Sequence, residues 1–356
     1  MSISDGYTSP VNPESFPDDN LLSHLLQKGV PELKRLVDLR KRGWEDDSLD
    51  NHFKRRRTVA DTVDDKMNVI WFKKMKKAFS ELNKAAHFVP RSGTLKFLDL
   101  GCSPGGFSSY VLSNNNKDAT GIGISLPPVQ GGHHFLLEKH FMRRYELIPA
   151  DILEYNLGPA QTEIGTAEMR PLPYEIGGRD LVILDGHYLR TYLPASSESP
   201  NEWDRHRLLI SQLIIALRSI KVGGSLVMKL THPERVQTAQ LLFLLDVLSK
   251  DLRTFKPRTI HANRGTFYAI AQGVGLGTQS ARQAEYLCDL EALWYEITFG
   301  GENGRGRFLT RNDMDFIVSQ ESLVSEYAKR LIELGMDAWI VQGDALYQWF
   351  SKKGLV

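Results

Sequence analysis

The stretch LDLGCSPGGFSSYV, residues 98–111, decides the fold. Its first residues continue an apolar run from Phe97 and predict a short, buried parallel strand. Three glycines follow at once, so the backbone can turn sharply and bring main-chain N–H groups close to a ligand. The residues from Phe107 onward predict a helix whose N-terminus points at that ligand. The stretch therefore predicts a nucleotide-type binding turn, which can serve dinucleotides, phosphates or adenosyl cofactors.

Two predicted strands downstream carry charged residues at or near their carboxyl ends. Residues 180–184 (DLVIL) form a continuous apolar run followed by Asp185, and residues 225–230 (SLVMKL) contain Lys229. The carboxyl ends of central strands border the crevice where open α/β sheets bind ligands. Lysine is seldom buried without a partner, so we expect Lys229 to pair with Asp185 across this crevice. An edge lysine that reaches solvent is the alternative.

Other strands complete an α/β pattern. Residues 119–125 (ATGIGIS) predict a second strand, and residues 145–149 predict a third strand that leads into Asp151. Asp151 either faces the ligand or caps a turn. Residues 265–272 (GTFYAIAQ) and the segment that ends near Lys256 indicate a terminal antiparallel hairpin.

The spacing of apolar residues also predicts helices. Residues 21–42 have helical periodicity interrupted by a proline, and residues 61–86 repeat apolar side chains every three or four positions. A helix over residues 203–221 is expected to end with Gly223 and Gly224 as C-cap residues. Further helices are predicted over residues 237–251, 281–295 and 323–334.

The sequence GCSPGGF resembles motif I of the FtsJ-like ribose 2′-O-methyltransferases, most closely the branch that includes the mRNA cap methyltransferases. The resemblance implies an α/β fold of the Rossmann-like class I methyltransferase type. Its sheet would be mostly parallel and seven-stranded, with a terminal antiparallel hairpin and added helical extensions. The expected parts are a disordered or helical basic extension over residues 1–60, the methyltransferase domain over 61–275 and a helical C-terminal extension over 276–356.

The resemblance also implies S-adenosylmethionine (SAM) as the cofactor. Asp151 would face the adenine amine. The second strand ends without the acidic residue with which class I methyltransferases usually hold the cofactor ribose. The residues that the resemblance assigns to the cofactor are Gly101, Cys102, Ser103, Pro104, Gly105, Gly106, Phe107, Ser125, Asp151, Ile152 and Asp185.

FtsJ-like enzymes place a lysine, an aspartate, a second lysine and a glutamate around the ribose 2′-hydroxyl. By resemblance Lys229 accepts the hydroxyl proton and Asp185 orients Lys229. The first lysine is expected on the helix that contains WFKKMKKAF. We assign it to Lys73, with Lys76 and Lys77 as alternatives.

The fourth member of this set departs from the family. Relatives of the cap branch have S-E-R-Y in the last hairpin, whereas this chain has GTFY, so that Thr266 replaces the glutamate. A threonine hydroxyl forms hydrogen bonds but carries no charge. The leading hypothesis is a SAM-dependent RNA ribose 2′-O-methyltransferase. The alternatives are a catalytically degenerate relative that binds SAM or RNA and a small-molecule O-methyltransferase.

Composition limits the partners of the chain. Its 356 residues carry a formal net charge of +1, but residues 34–96 are distinctly basic and predict RNA binding, or else a solvated helix face. The run KRRR at residues 54–57 is of a kind that nuclear import recognises. Two cysteines fit neither a disulfide framework nor a zinc site, and histidines within residues 131–140 have no standard metal-ligand spacing. We expect an intracellular protein of the nucleus or cytoplasm, without a membrane or metal partner.

Overall fold

The computed structural model describes residues 20–44, 65–115, 118–159, 169–189, 191–194, 201–301 and 304–354. The predicted disordered N-terminus and the basic run at residues 54–57 lie outside these ranges, as does nearly all of the Ser- and Pro-rich segment at residues 194–201. Over the described ranges, the helices are all too short or too polar to cross a bilayer.

A seven-stranded sheet forms the centre of the molecule. Its strand order is β3-β2-β1-β4-β5-β7-β6, with β7 antiparallel to both of its neighbours and the other pairs parallel. This arrangement confirms the predicted fold class and the terminal antiparallel hairpin. The strands are β1 (Leu95–Leu100), β2 (Ala119–Ser125), β3 (Tyr145–Pro149), β4 (Arg179–Leu184), β5 (Ile220–Thr231), β6 (Ser249–Phe255) and β7 (Thr266–Val274).

The helices agree with the predicted ones apart from their ends, except that the last one continues to Lys353, far beyond the predicted end at residue 334. They are α1 (Asn20–Gln27), α2 (Pro31–Trp44), α3 (Asp65–Ala86), α4 (Gly106–Asn114), α5 (Asp204–Ser219), α6 (Val236–Leu248), α7 (Gln283–Phe299) and α8 (Ala328–Lys353). A short helical turn (Gln320–Ser322) and a π-helical segment (Leu323–Tyr327) lead into α8. Short 3-10 turns span Pro128–Gln130, Lys139–Arg144, Ile152–Glu154, Tyr174–Ile176 and Ser280–Arg282.

The two faces of the sheet bury different sets of helices, because successive side chains of a strand point to opposite faces. On β1, Leu98 and Leu100 belong to a core that includes residues of α1, α2 and α5 to α8. Phe97, one position away, belongs to a second core with residues of α3 and α4. We call this second side of the sheet the α3 face. Lys229 on β5 and Tyr268 on β7 both have the parity of residues that point to the α3 face.

The N-terminal and C-terminal helices share one core with the sheet. Leu33 and Leu36 of α2 are fully buried in the same cluster as Trp339 and Phe350 of α8. These two aromatic residues are therefore core residues. The predicted division of the chain into three parts remains a prediction.

The predicted C-cap of helix α5 is wrong. Helix α5 ends at Ser219, and its C-cap residue is Ile220 in an extended conformation. Gly223 and Gly224 lie inside β5, which begins at Ile220 and pairs with β4 through a shift in register. Two adjacent glycines are compatible with a strand irregularity as well as with a helix end, so the sequence alone favoured the wrong element.

Candidate active site

Asp185 and Lys229 meet at the carboxyl ends of β4 and β5, as predicted. Lys229 Nζ lies 3.2 Å from Asp185 Oδ1 and also donates a hydrogen bond to the main-chain oxygen of Asp185. The two side chains are 13% and 6% exposed, so the pair is nearly enclosed. Tyr268 donates a 2.8 Å hydrogen bond to the same carboxylate oxygen, which fixes the carboxylate from the neighbouring strand β7.

The residue that replaces the family glutamate lies at the end of β7. Thr266 pairs with Thr231, and Tyr268 pairs with Lys229 in the antiparallel register. Because residues two apart on a strand share a face, Thr266 has the same parity as Tyr268 and points to the α3 face. The chain therefore has a neutral hydroxyl at the position where the family resemblance implies a glutamate.

The turn after β4 is held from both sides. Gln212 on α5 accepts a hydrogen bond from the Gly186 N–H at 2.9 Å and donates one to the Gly186 carbonyl at 3.1 Å. Gly101, the first residue after β1, has a positive φ of 77°, and a Cβ there would lie 2.3 Å from Gly186 Cα. The turns after β1 and β4 can approach this closely only because Gly101 is glycine. Gln212 and Gly101 together fix the backbone between Asp185 and His187.

An open cleft lies beside this turn, with about 590 Å³ of space that includes its opening to solvent. Five of the eleven residues that the resemblance assigns to the cofactor line the cleft, namely Gly101, Ser103, Ser125, Asp151 and Ile152. The strands β1 and β2 end here, so the glycine-rich turn and Ser125 form one wall of the cleft, and the Ser103 N–H donates to Ser125 Oγ at 3.3 Å.

Other residues of motif I serve the fold. The side chains of Cys102 and Phe107 are 1% exposed, and Phe107 packs against Phe79 of α3 with ring centroids 4.5 Å apart. A Cβ at Gly106 would lie 2.5 Å from the Phe72 carbonyl oxygen, so this glycine permits close contact between α3 and α4. The side chains of Cys102 and Phe107 point into the core, so contact of these two residues with the cofactor would be through their main chain.

Asp99 is a buried carboxyl group beneath the glycine-rich turn. It is fully buried, and Ser108 Oγ donates a 2.6 Å hydrogen bond to Asp99 Oδ2. Burial raises the pKa of Asp99 to about 7, with an opposing effect of Ser108 and a smaller contribution from the negative charge of Asp185. The carboxyl group thus stabilises the start of α4 and shares its electrostatic environment with the Asp185–Lys229 pair.

Asp151 caps a turn, which is one of its two expected roles, and it also borders the cleft. It caps the following 3-10 turn by accepting the Leu153 N–H at 2.9 Å. Its second oxygen accepts a 2.6 Å hydrogen bond from the Tyr192 hydroxyl. Burial raises the pKa of Asp151, and the hydrogen bond from Tyr192 opposes that shift. The segment that carries Tyr192 contacts the turn at Gly131, where Thr191 Oγ1 donates to the carbonyl.

The first site lysine is not identified by contacts. Lys73 and Lys77 are exposed on α3. Lys76 binds Glu138 at 2.9 Å, and Glu138 also accepts from Ser109 Oγ, so Lys76 joins α3 to α4 and the loop before β3. Helix α3 covers the sheet face to which Lys229 points, which agrees with the predicted position of this lysine's helix. In the described part of the chain, no three His, Cys, Asp or Glu side chains are grouped as metal ligands would be.

Sequence reasoning missed a third partner of Lys229. His187 Nδ1 lies 3.1 Å from Lys229 Nζ, and the His187 side chain is exposed at the cleft. The positive charge of Lys229 is the largest cause that holds the pKa of His187 well below its usual value. The signal was present in the sequence, because His187 follows Asp185 by two positions at the end of the same predicted strand.

Part of the basic region is also unavailable as an RNA surface. Arg40 of α2 binds Glu234 at 2.6 Å, and the two side chains are 14% and 4% exposed. Arg40 is adjacent to Lys41 and Arg42 in this region, but it points into the protein, whereas the other two are exposed. Helical periodicity separates the three residues around the axis of α2, and one of them meets a buried carboxylate.

Comparisons with known proteins agree with this geometry. The chain is 25% identical over 206 residues to the cap-specific mRNA (nucleoside-2′-O-)-methyltransferase 1 of Danio rerio. The aligned region covers 55% of this chain and 24% of that protein. The Mus musculus protein of the same name is 27% identical over 202 residues, covering 54% and 23%. The chain thus spans about a quarter of the length of these curated relatives.

Among solved structures, a protein assigned as a ribosomal RNA methyltransferase from Plasmodium falciparum has a TM-score of 0.37 and 19% identity, covering 57% of this chain and 97% of that one. The profile of the FtsJ-like methyltransferases matches residues 73–274. This match spans every strand of the sheet, the glycine-rich turn and both members of the Asp185–Lys229 pair. The chain therefore belongs to the FtsJ-like methyltransferase family.

Proposed function

We propose that this chain transfers the methyl group of SAM to a ribose 2′-hydroxyl of RNA. The observation that carries the proposal is the nearly enclosed Asp185–Lys229 pair, which stands at the carboxyl ends of adjacent strands beside an open cleft. The names of the similar cap methyltransferases support the choice of RNA and of the 2′-oxygen.

The residues present fit SAM. The cleft is bordered by the glycine-rich turn, where backbone approaches the ligand without side chains, and by Ser103, Ser125 and Asp151. Glycine backbone, hydroxyls and a carboxylate suit the ammonium, carboxylate, ribose and adenine groups of such a cofactor. When bound, SAM supplies an electrophilic methyl group on a positively charged sulfur.

The protein supplies alignment and removes a proton. A ribose hydroxyl is a weak nucleophile, so the site must hold it in line with the methyl group and accept its proton during attack. Lys229 is assigned as the group that meets the hydroxyl. Asp185 positions Lys229 through the 3.2 Å contact, and Tyr268 positions Asp185.

RNA is assigned to the α3 face, to which Lys229 points by its strand parity. Lysines of α3 at positions 66, 73 and 77 are exposed and are available to phosphates. Lys73 remains our assignment for the first site lysine. Single Lys→Met substitutions along α3 would identify it as the position at which kcat falls at least 100-fold while the salt dependence of RNA binding keeps its slope.

The test is methyl transfer from labelled SAM to a mixed pool of capped and uncapped RNA. Calorimetry of SAM binding uses the same samples, and the matched variant is Asp185→Asn. We expect label in ribose 2′-O positions for the native chain, a loss of at least 100-fold in the variant, and SAM binding by both. SAM binding without transfer to any RNA would contradict the proposal.

Thr266 favours a second candidate, a degenerate relative that binds SAM and RNA without transfer. The hydroxyl cannot supply the negative charge that a glutamate would bring to the first lysine. Thr266→Glu separates the candidates. If the native chain is inactive and this variant gains transfer, the chain is a degenerate module. If the native chain is active and Thr266→Glu changes kcat by less than tenfold, the site functions without the glutamate.

A further inference from the structure

The side chain of His187 connects Lys229 to the cleft. Lys229 Nζ has three acceptors within reach, namely the main-chain oxygen and Oδ1 of Asp185 and Nδ1 of His187. An ammonium group has three N–H donors, so all of them are engaged. Among these acceptors, His187 Nδ1 combines a basic nitrogen with an exposed side chain.

The contact also fixes the form of the ring. An ammonium donates and cannot accept, so the Lys229 N–H bond points at a bare Nδ1, and the proton of neutral His187 is on Nε2. The main chain on which the ring stands is held by Gln212, through its two hydrogen bonds to Gly186. His187 thus contacts Lys229 through Nδ1, and its side chain is exposed at the cleft.

We propose that His187 is a positioning residue that takes a proton from the Lys229 ammonium, so that the resulting amine can accept the proton of the substrate hydroxyl. The inference rests on the proposed function. A proton passes from the Lys229 ammonium to His187 Nδ1, which leaves a neutral amine. The hydroxyl oxygen then forms a bond to the methyl carbon, the methyl–sulfur bond breaks with its electron pair kept by sulfur, and the hydroxyl proton moves to the amine.

This sequence balances in atoms and charge. The sulfonium loses its positive charge, His187 becomes an imidazolium, and Lys229 ends as the ammonium with which it began. The imidazolium releases its Nε2 proton to water. The groups that face His187 from other elements are Lys229 on β5, His133 in the loop before β3 and Arg264 in the loop before β7, all of which oppose protonation of the ring. The imidazolium therefore has a short lifetime, which favours release of the proton.

His187 provides a way for a proton to leave the nearly enclosed Lys229. Lys229 is nearly enclosed, so a proton that it accepts must leave through a neighbour or wait for the site to open. A buried carboxylate that is hydrogen-bonded by Tyr268 is a poor carrier, because it is fixed on its own partners. His187 offers a titratable nitrogen on one side of the ring and access to water on the other.

The experiment compares kcat against pH for the native chain, His187→Asn and a matched surface control, His140→Asn. An asparagine oxygen can accept a hydrogen bond from Lys229 but cannot take its proton. At pH 7 we expect kcat of His187→Asn to fall about 30-fold and to recover to within about threefold of the native value near pH 10, where a lysine can lose its proton directly. The SAM dissociation constant should change by less than twofold.

Two further measurements separate a proton path from a structural role. In His187→Ala, added imidazole should restore kcat at least fivefold, because the vacated position is exposed. Without SAM or RNA, NMR of the ring nitrogens should show that the His187 pKa is at least one unit higher in Lys229→Met than in the native chain. A His187→Asn profile parallel to the native one, a failure of imidazole rescue or an unchanged His187 pKa would overturn the proposal.

These outcomes are distinct from failure of the proposed function. A native chain that binds SAM but methylates no RNA would contradict both proposals. A native chain that methylates RNA, with His187→Asn unaffected at every pH, would contradict the proton path alone. If His187→Asn melts below the assay temperature, the rescue of His187→Ala and the NMR titration still decide the question.

Discussion

Two buried ion pairs lie close to the end of β5, and they differ in what surrounds them. Lys229 on β5 pairs with Asp185 at the end of β4, and the exposed His187 connects this pair to the cleft. Five residues later, Glu234 binds Arg40 of α2 at 2.6 Å and is 4% exposed. The comparison shows that burial of charge does not identify an active site. A site needs, in addition, an atom that faces a ligand.

Every acceptor of the second pair is directed at the protein itself. Glu234 accepts hydrogen bonds from Arg40 and Trp339, and His232 Nδ1 lies 3.2 Å from it. Burial alone would raise the pKa of Glu234, but Arg40 and His232 hold it well below its usual value. The pair joins α2 and α8 to the end of β5. Its role is architectural.

The strongest test of the comparison is loss of the amine at the cleft. Lys229→Met should lower methyl transfer about a thousand-fold, because a positioned proton acceptor contributes that order of rate. Lys229→Arg should be equally inactive, since a guanidinium keeps the charge but does not lose a proton at assay pH. Initial rates with labelled SAM measure both variants. Activity in Lys229→Arg above a tenth of the native rate would contradict the assignment.

The Arg40–Glu234 pair should show the opposite result, which is a loss of stability. Glu234→Gln leaves Arg40 buried without a counter-charge, which costs about 3 kcal/mol of unfolding free energy. Urea unfolding measures the loss. The matched control is Asp344→Asn, which breaks the exposed Arg35–Asp344 pair and should cost less than about 1 kcal/mol. A loss of methyl transfer in Glu234→Gln without a matching loss of unfolding free energy would remove the distinction between the two pairs.

The buried Lys256, close to the Arg40–Glu234 pair, predicts a pH dependence of stability. Lys256 is 1% exposed and donates to the main-chain oxygens of Arg264 and Thr266. Burial, with a smaller effect of Arg40, lowers the pKa of Lys256 from 10.5 to about 7, against the opposing charges of Asp337 and Glu234. Between pH 7 and 10.5 the unfolded chain therefore binds more protons at this residue than the folded chain does.

The sign of the effect follows directly. The contribution of Lys256 to the free energy of unfolding rises with pH across that window, by at most about 1.4 kcal/mol per pH unit. Lys256→Met should remove this rise, so the difference in unfolding free energy between the native chain and the variant should grow from pH 7 to pH 10. A constant difference over this range would show that Lys256 titrates normally.

The sequence predicted the first pair but not the second, for a physical reason. Asp185 and Lys229 follow strands whose order is a property of the fold, so their meeting could be inferred from position alone. Arg40 and Glu234 are 194 residues apart, and nothing in their local patterns shows that α2 reaches the end of β5. Packing of a terminal helix on a sheet depends on many weak side-chain contacts, which the spacing of apolar residues does not specify.

The same limit explains the other differences. The glycine-rich turn predicted the cleft, but which of its residues face it depends on how α3 packs against Gly106. Cys102 and Phe107 were assigned to the cofactor because they belong to the motif, yet strand and helix geometry turns them into the core. His187 and Tyr192 were missed because both act through residues that the sequence analysis had already singled out, Lys229 and Asp151.

Asp151 is intermediate between the two pairs, and it provides the most sensitive test. It lines the cleft, as a ligand-binding group should, but both of its oxygens are bonded within the chain, to the Leu153 N–H and the Tyr192 hydroxyl. If Asp151 binds the adenine amine, the Tyr192 hydroxyl competes with SAM for one oxygen. Tyr192→Phe should then tighten SAM binding about threefold, which corresponds to the net free energy of one hydrogen bond.

Calorimetry of SAM binding measures the change, with Tyr174→Phe at a fully solvated position as the matched control. Tighter binding would place Asp151 with the residues that face a ligand. Weaker binding would instead mean that Tyr192 holds the carboxylate in its binding orientation. No change would place Asp151 with Glu234, as a buried carboxylate whose partners all lie within the protein, and the adenine site would have to be formed by the remaining lining residues of the cleft.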